Sequence, residues 1–130
     1  MASDTLKNLE AGSYLSLATR KRSGDFVPTP VWFAPAGGSY YIFSAGNAGK
    51  VKRLRNFSEV RIAPCNVHGK LTGDWIEAQA RLLESDADRA TALAALRRKY
   101  GLLMRLGDLF ARLSGRFRRR AYIRVDPGRD

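Results

Sequence analysis

Residues 44–57 read SAGNAGKVKRLRNF and follow directly on the aromatic run Tyr40-Tyr41-Ile42-Phe43. An aromatic run of this kind is a strand, the Ala-Gly-Asn-Ala-Gly segment is a turn, and Val51, Leu54 and Phe57 at three-residue spacing mark one buried stripe of a following helix. Lys50, Lys52, Arg53 and Arg55 crowd the rest of that helix. A strand, a glycine turn and a helix start gather amide N–H groups and cations into one concavity suited to a phosphate or another anion. The stretch also decides what the fold is not. A phosphate-binding GxxxxGK[ST] loop needs a longer turn and a hydroxyl after its lysine, whereas Val51 follows Lys50. Nucleotide hydrolysis on a parallel α/β sheet is therefore excluded.

Upstream of this stretch, Leu6 and Leu9 predict a short helix over Asp4–Ala11, capped by Ser3 or Asp4. Ser13–Arg20 alternates Tyr14/Ser16 with Leu15/Leu17 and passes through the charged turn 21–25 into FVPTPVWFA, residues 26–34. Pro28 and Pro30 cannot donate ladder hydrogen bonds, so this return segment predicts an edge or bulged strand with backbone left for a ligand. Pro35–Ser39 then reads as the turn into the Tyr40 strand. Downstream, Glu59–Asn66 and Trp75–Leu83 predict a second hairpin. Ser85-Asp86-Ala87-Asp88 opens a helix over Ala90–Tyr100, and Leu102, Leu106, Leu109 and Leu113 predict a further helical stripe serving as core or dimer contact. After the basic run 116–120, Ala121–Val125 predicts a closing strand.

Composition sets the outer limits. The chain has 130 residues, 45% of them hydrophobic, enough for one domain spanning 1–130 with its own core. A formal charge of +11 points to an anionic partner. One cysteine, Cys65, and one histidine, His68, exclude an intrachain disulfide and a thiolate-rich metal site, and no metal is expected. Cys65 reads as a small core residue, and His68 as a turn residue. No apolar run reaches the length of a membrane span, so a cytoplasmic protein is expected. Hairpins without βαβ alternation, with helices added late, predict an α+β fold. Its main body is an antiparallel barrel of five or six strands, with a helical insertion before the last strand.

Several segments together resemble one known family: Leu17-Ala18-Thr19-Arg20, Pro28-Thr29-Pro30-Val31-Trp32, Ser44 with 48–54, Ala63-Pro64-Cys65 and Lys99-Tyr100-Gly101. In that order and spacing the chain is similar to the pyridoxamine 5'-phosphate oxidase-like (PPOX class) FMN-binding split β-barrels. The likeness is closest to the flavin/deazaflavin-dependent oxidoreductase branch, and it covers about residues 15–125. It implies a homodimer of six-stranded split barrels with coenzyme F420 or FMN in clefts at the subunit interface. It also implies hydride transfer between that cofactor and a small organic substrate.

Carried over by position, the resemblance assigns Pro28, Thr29, Pro30, Val31 and Trp32 to the ring. Ser44, Ala45, Gly46 and Gly49 fall on the ribityl and phosphate path, and Lys50, Lys52 and Arg53 on the phosphate itself. Where many relatives carry Ser-Gly-Lys this chain has Ala48-Gly49-Lys50, so one hydroxyl is missing. The longer C-terminal Trp and Arg segment of true pyridoxamine-phosphate oxidases is also absent. No catalytic side chain is required, because the cofactor carries the chemistry. Trp32 and Trp75 read as ring contacts or as rim and dimer residues. Two alternatives stand beside the oxidoreductase reading: a flavin-binding barrel without turnover, and a basic barrel binding nucleic acid. The second draws on nine Lys and Arg against Asp108 alone between Arg97 and Arg120. Nucleic acid is not the expected partner, because that basic run lacks the interleaved aromatics of single-strand readers.

Overall fold

The computed structural model describes residues 2–101 and 120–128, together with 103, 105, 106 and 109. In chain order the elements are α1 (Ala2–Glu10), β1 (Tyr14–Arg20), β2 (Phe26–Trp32), β3 (Ala34–Ala36), β4 (Ser39–Ala45), α2 (Gly49–Leu54), β5 (Glu59–Cys65), β6 (Ile76–Leu83), α3 (Asp86–Tyr100) and β7 (Arg120–Pro127). The seven strands form one sheet in the order β2-β1-β5-β6-β7-β4-β3. Every pairing among the described residues is antiparallel.

β2 and β3 stand at opposite edges of this sheet, yet only Phe33 separates them in the chain. The sheet must therefore curl until its two edges meet at Phe33. The result is a half-barrel whose seam is a single residue, and Phe33 is fully buried there. As the double proline predicts, β2 is an edge strand paired with β1 alone, with Pro28 opposite Ala18 and Pro30 opposite Ser16. The two prolines are two residues apart, so their missing N–H groups fall on the same edge of the strand.

The count of six strands is corrected to seven. The segment read as a turn, Pro35–Ser39, is instead part of a tight hairpin in which Ala36 pairs with Ser39 around Gly37 and Gly38. Both glycines have positive φ, 60° and 85°, the two-residue geometry whose twist matches paired strands. Two adjacent glycines thus make the turn short enough for Ala34–Ala36 to remain a strand.

Two cores flank the sheet. Inside the curl, Leu15, Leu17, Val31, Tyr40, Ile42, Ile62 and Ile123 pack with Leu6 and Leu9 of α1 and Leu54 of α2. Outside it, α3 lays Ala92, Ala95 and Leu96 on Ala34, Tyr41, Leu83 and Tyr122. α3 starts where the capping pattern places it, with the Asp88 amide donating to Ser85 Oγ at 3.1 Å, a cap of about 1 kcal/mol. α1 begins at Ala2, so Ser3 and Asp4 lie within the helix and not at a position ahead of it. The predicted Leu102–Leu113 stripe falls only partly within the described residues. Leu106 and Leu109 are exposed, 46% and 54%, which overturns the core reading for them, while Leu102 and Leu113 lie outside the described residues. Residues 116–119 of the basic run lie outside them too; Arg120 opens β7. Among the described residues no helix is long and apolar enough to cross a membrane.

Candidate functional site

α2 closes one end of the half-barrel by inserting Val51 and Leu54, both buried. Its turns advance about 100° per residue, so Lys50 and Arg53, three apart, share one side, while Lys52 lies about 200° from Lys50. The structure follows this geometry: Lys50 and Arg53 are partly buried and Lys52 is exposed. Of the three cations assigned to one phosphate, two come together and the third faces solvent.

Arg53 is fixed from the sheet. Its Nε donates to Thr19 Oγ1 at 2.6 Å, and Thr19, at the end of β1, is fully buried. The guanidinium then lies over the first turn of α2, with Nη1 2.9 Å from the place a Cβ on residue 49 would occupy. Glycine at position 49 is what leaves room for it. Burial pushes the Lys50 ammonium below its ordinary pKa, and the charge of Arg53 pushes it further. Among the described residues neither cation is in an ion pair with a carboxylate. Ala48, at the cap position, supplies no side-chain acceptor to the first-turn amides. Among the described residues these two half-buried cations therefore make up a local excess of positive charge at the start of α2.

Period-two alternation splits the other assigned residues between faces. Val27, Thr29 and Val31 stand opposite Thr19, Leu17 and Leu15, and Leu15, Leu17 and Val31 belong to the interior core. Thr29 and Val31 are therefore on the inner face of β2, with Pro28, Pro30 and Trp32 outside. Ser44 is buried and donates to the carbonyl of Ala45 at 3.2 Å, while Ala45 is exposed. Gly46 lines a different cleft, with Arg55, Arg89 and Arg120.

Trp32 is already occupied on one face. Tyr100 stacks on it with ring centres 4.5 Å apart at 10°, and Phe43 meets it edge-on at 6.3 Å. Trp75 is 41% exposed. His68 is an exposed turn residue whose amide donates to Asn66 Oδ1 at 2.9 Å. Cys65 is buried, and burial pushes its thiol pKa up, away from nucleophilic character.

Thr19, Lys99 and Tyr100 lie in segments that carry the resemblance, yet their roles are not legible from spacing. Thr19 is an ordinary strand residue until β1 is seen to end under α2. Lys99 and Tyr100 end α3, where Lys99 Nζ reaches the carbonyl of Gly12 at 2.8 Å and sits 3.6 Å from the Phe33 ring centre.

No protein-family model matches the sequence, and no curated protein matches it. Solved structures do match in fold. HutZ, the heme storage protein of Vibrio cholerae, is 16% identical, with 96% of this chain and 89% of that chain covered and a TM-score of 0.70. An FAD-binding protein of Mesorhizobium loti is 15% identical over 99% of this chain and 91% of that one, TM-score 0.66. A Listeria innocua protein provisionally assigned as a pyridoxamine 5'-phosphate oxidase is 14% identical over 98% and 93%, TM-score 0.66. The fold is that of the pyridoxamine 5'-phosphate oxidase-like proteins, as the sequence resemblance implies.

Proposed function

We propose that this protein is a split-barrel oxidoreductase that transfers a hydride between coenzyme F420 or FMN and a small organic substrate. In this reading it works as a homodimer with the cofactor at the subunit interface. The observation that carries the reading is the Lys50–Arg53 pair, two half-buried cations set side by side with no counter-charge among the described residues, Arg53 being held by Thr19. The residues fit a phosphate monoester: Gly49 leaves the space, Arg53 offers a planar fork of donors, and Lys50 adds a point charge. When bound, a flavin or deazaflavin supplies the hydride chemistry.

The chain's part is binding and orientation. Lys50 and Arg53 anchor the phosphate, and Thr19 sets the angle of the guanidinium. The outer face of β2, with Pro28, Pro30 and Trp32, gives a wall whose backbone has lost two donors and so cannot be taken up by another strand. Trp32 is held rigid by Tyr100, which suits a wall better than a mobile indole does. Rigid positioning of this kind is a contribution that a cofactor enzyme needs from its protein.

A second reading also draws on this site. Thr19, Gly49, Lys50 and Arg53 bring cations and a hydroxyl but no carboxylate, imidazole or thiol. Such a set also suits a barrel that holds a cofactor without turning it over, and HutZ is described as a heme storage protein. Visible-spectrum titration with FMN and with F420 tests the main reading. The expected result is a spectral shift with one of them at micromolar concentration, weakened at least about tenfold in Lys50→Gln/Arg53→Gln, the loss of about one charge-assisted contact. No shift with either cofactor overturns the reading. Binding without reoxidation of the reduced cofactor by any electron-poor acceptor favours storage.

A further inference from the structure

The far side of α2 carries a second cationic feature that the cofactor reading does not use. Arg55 lies about 200° around the helix from Arg53. It faces a cleft of about 280 Å³ lined by Arg89 and Arg120, by Glu84, and by Val51, Leu83 and Tyr122 among others. Two of the arginines are built in. Arg89 Nη2 donates to the carbonyl of Arg120 at 2.6 Å, and its guanidinium lies 5.4 Å from the Tyr122 ring centre. The guanidinium of Arg120 lies 4.7 Å from the ring centre of Phe43. Arg55 is exposed at the end of α2. Among the described residues neither Arg55 nor Arg89 is paired with a carboxylate, Glu84 included.

The lining thus carries three guanidiniums and one carboxylate, and of these Arg55 and Arg89 are in no ion pair among the described residues. Val51 and Tyr122, both buried, give it an apolar floor. We propose that this cleft is an anion-binding site distinct from the Lys50–Arg53 pair, taking a small organic molecule that bears a phosphate or a carboxylate. The volume admits a head group and a short carbon skeleton, at the lower end of small-molecule pockets. Arg forks bind both anions through paired N–H donors, so the two chemistries share one recognition mode. The proposal does not rest on the flavin reading, because the two sites use different residues on opposite sides of α2.

Calorimetric titration at low salt, with pyrophosphate and separately with citrate, tests it on three proteins: wild type, Lys50→Gln/Arg53→Gln and Arg55→Glu. At least one probe is expected to bind wild type and the double variant with equal affinity. The same probe should bind Arg55→Glu at least about tenfold more weakly, the loss of one charge-assisted pair. Arg55→Gln, which keeps the side-chain length, should show a smaller loss in the same direction. Binding of pyrophosphate alone identifies a phosphate ligand, and of citrate alone a carboxylate; either supports the site. Absence of heat with both probes overturns the proposal, as does binding abolished in the double variant but intact in Arg55→Glu. Displacement of the probe by a single-stranded oligonucleotide binding more tightly through Arg55 also overturns it, since the cleft then belongs to a nucleic-acid surface.

Discussion

The hydroxyl of Tyr100 lies 3.0 Å from the amide nitrogen of Phe33 and 2.7 Å from its carbonyl oxygen. Phe33 is the one residue between the two edge strands, outside every ladder, and the last residue of α3 serves both of its backbone groups. The same hydroxyl is 2.7 Å from the carbonyl of Ser13, so a single side chain ties together the seam, the start of β1 and the helix. Tyr100→Phe keeps the stacking on Trp32 but leaves these groups without their partner. The expected cost is about 1–3 kcal/mol, read as a lower urea midpoint. An unchanged midpoint would show that the seam does not depend on this hydroxyl.

The two residues at this end of α3 should respond oppositely to alkali. Burial holds Lys99 down, from 10.5 to about 8, with Glu10 pulling it back up. The unfolded chain therefore binds the extra proton between these values, and the Lys99 contribution to stability rises as pH climbs from about 8 toward 10.5. Burial pushes Tyr100 up from 10.0 to about 12, against the Phe33 hydrogen bond, with Tyr14 adding to the rise. Its contribution is whole below pH 10 and is lost as pH passes through about 12. Denaturation of wild type, Lys99→Met and Tyr100→Phe at a series of pH values checks both signs. The gap between wild type and Lys99→Met should move in favour of wild type above pH 8, and the gap to Tyr100→Phe should close above pH 10.

Gly49→Ala separates stability from binding. Alanine is the better helix former by up to about 1 kcal/mol, so the variant should melt no lower than wild type in phosphate-free buffer. Its Cβ would meet Arg53 Nη1 at 2.9 Å, so the tip of the guanidinium must shift from its place over the first turn. Added inorganic phosphate should then raise the melting temperature less than it does for wild type. Equal phosphate-dependent shifts would remove Arg53 from the proposed anion site.

At the β3–β4 turn, a Cβ on Gly37 meets nothing within 4 Å, but its φ is +60°. Gly37→Ala should therefore cost about 1–2 kcal/mol through backbone strain alone. Gly37→Asn, whose side chain tolerates the left-handed region, should recover much of it.

Local chemistry made the elements legible. The double proline placed β2 at an edge, the Ser85 cap started α3, and alternation found β5, β6 and β7 to within two residues at each end. β3 was hidden because Gly37-Gly38 reads as loop, although two adjacent glycines also allow the tightest hairpin. Of the site, Lys50 and Arg53 were legible from helical spacing, and the same spacing already argued against Lys52 as their companion. The division of Pro28–Trp32 between two faces follows from period two, once one knows that β2 is paired along its full length. Thr19, Tyr100 and the Arg55–Arg89–Arg120 cleft depend on contacts between segments far apart in the chain, which no local pattern records.

The sheet order also sets a timetable for the growing chain. Among the described strands β4 has β3 and β7 as its neighbours, and β7 emerges from the ribosome after the other six. Until residues 120–127 are made, one edge of Tyr40-Tyr41-Ile42-Phe43 stands open, an aromatic strand of the kind that recruits stray strands from other chains. β2, made earlier, carries two prolines and makes a poor acceptor for such a strand. Until β7 is made, β6 and β4 both lack the neighbour they share, while β2 is guarded by its prolines, so slow translation or truncation before β7 should show itself as aggregation seeded at these two open edges.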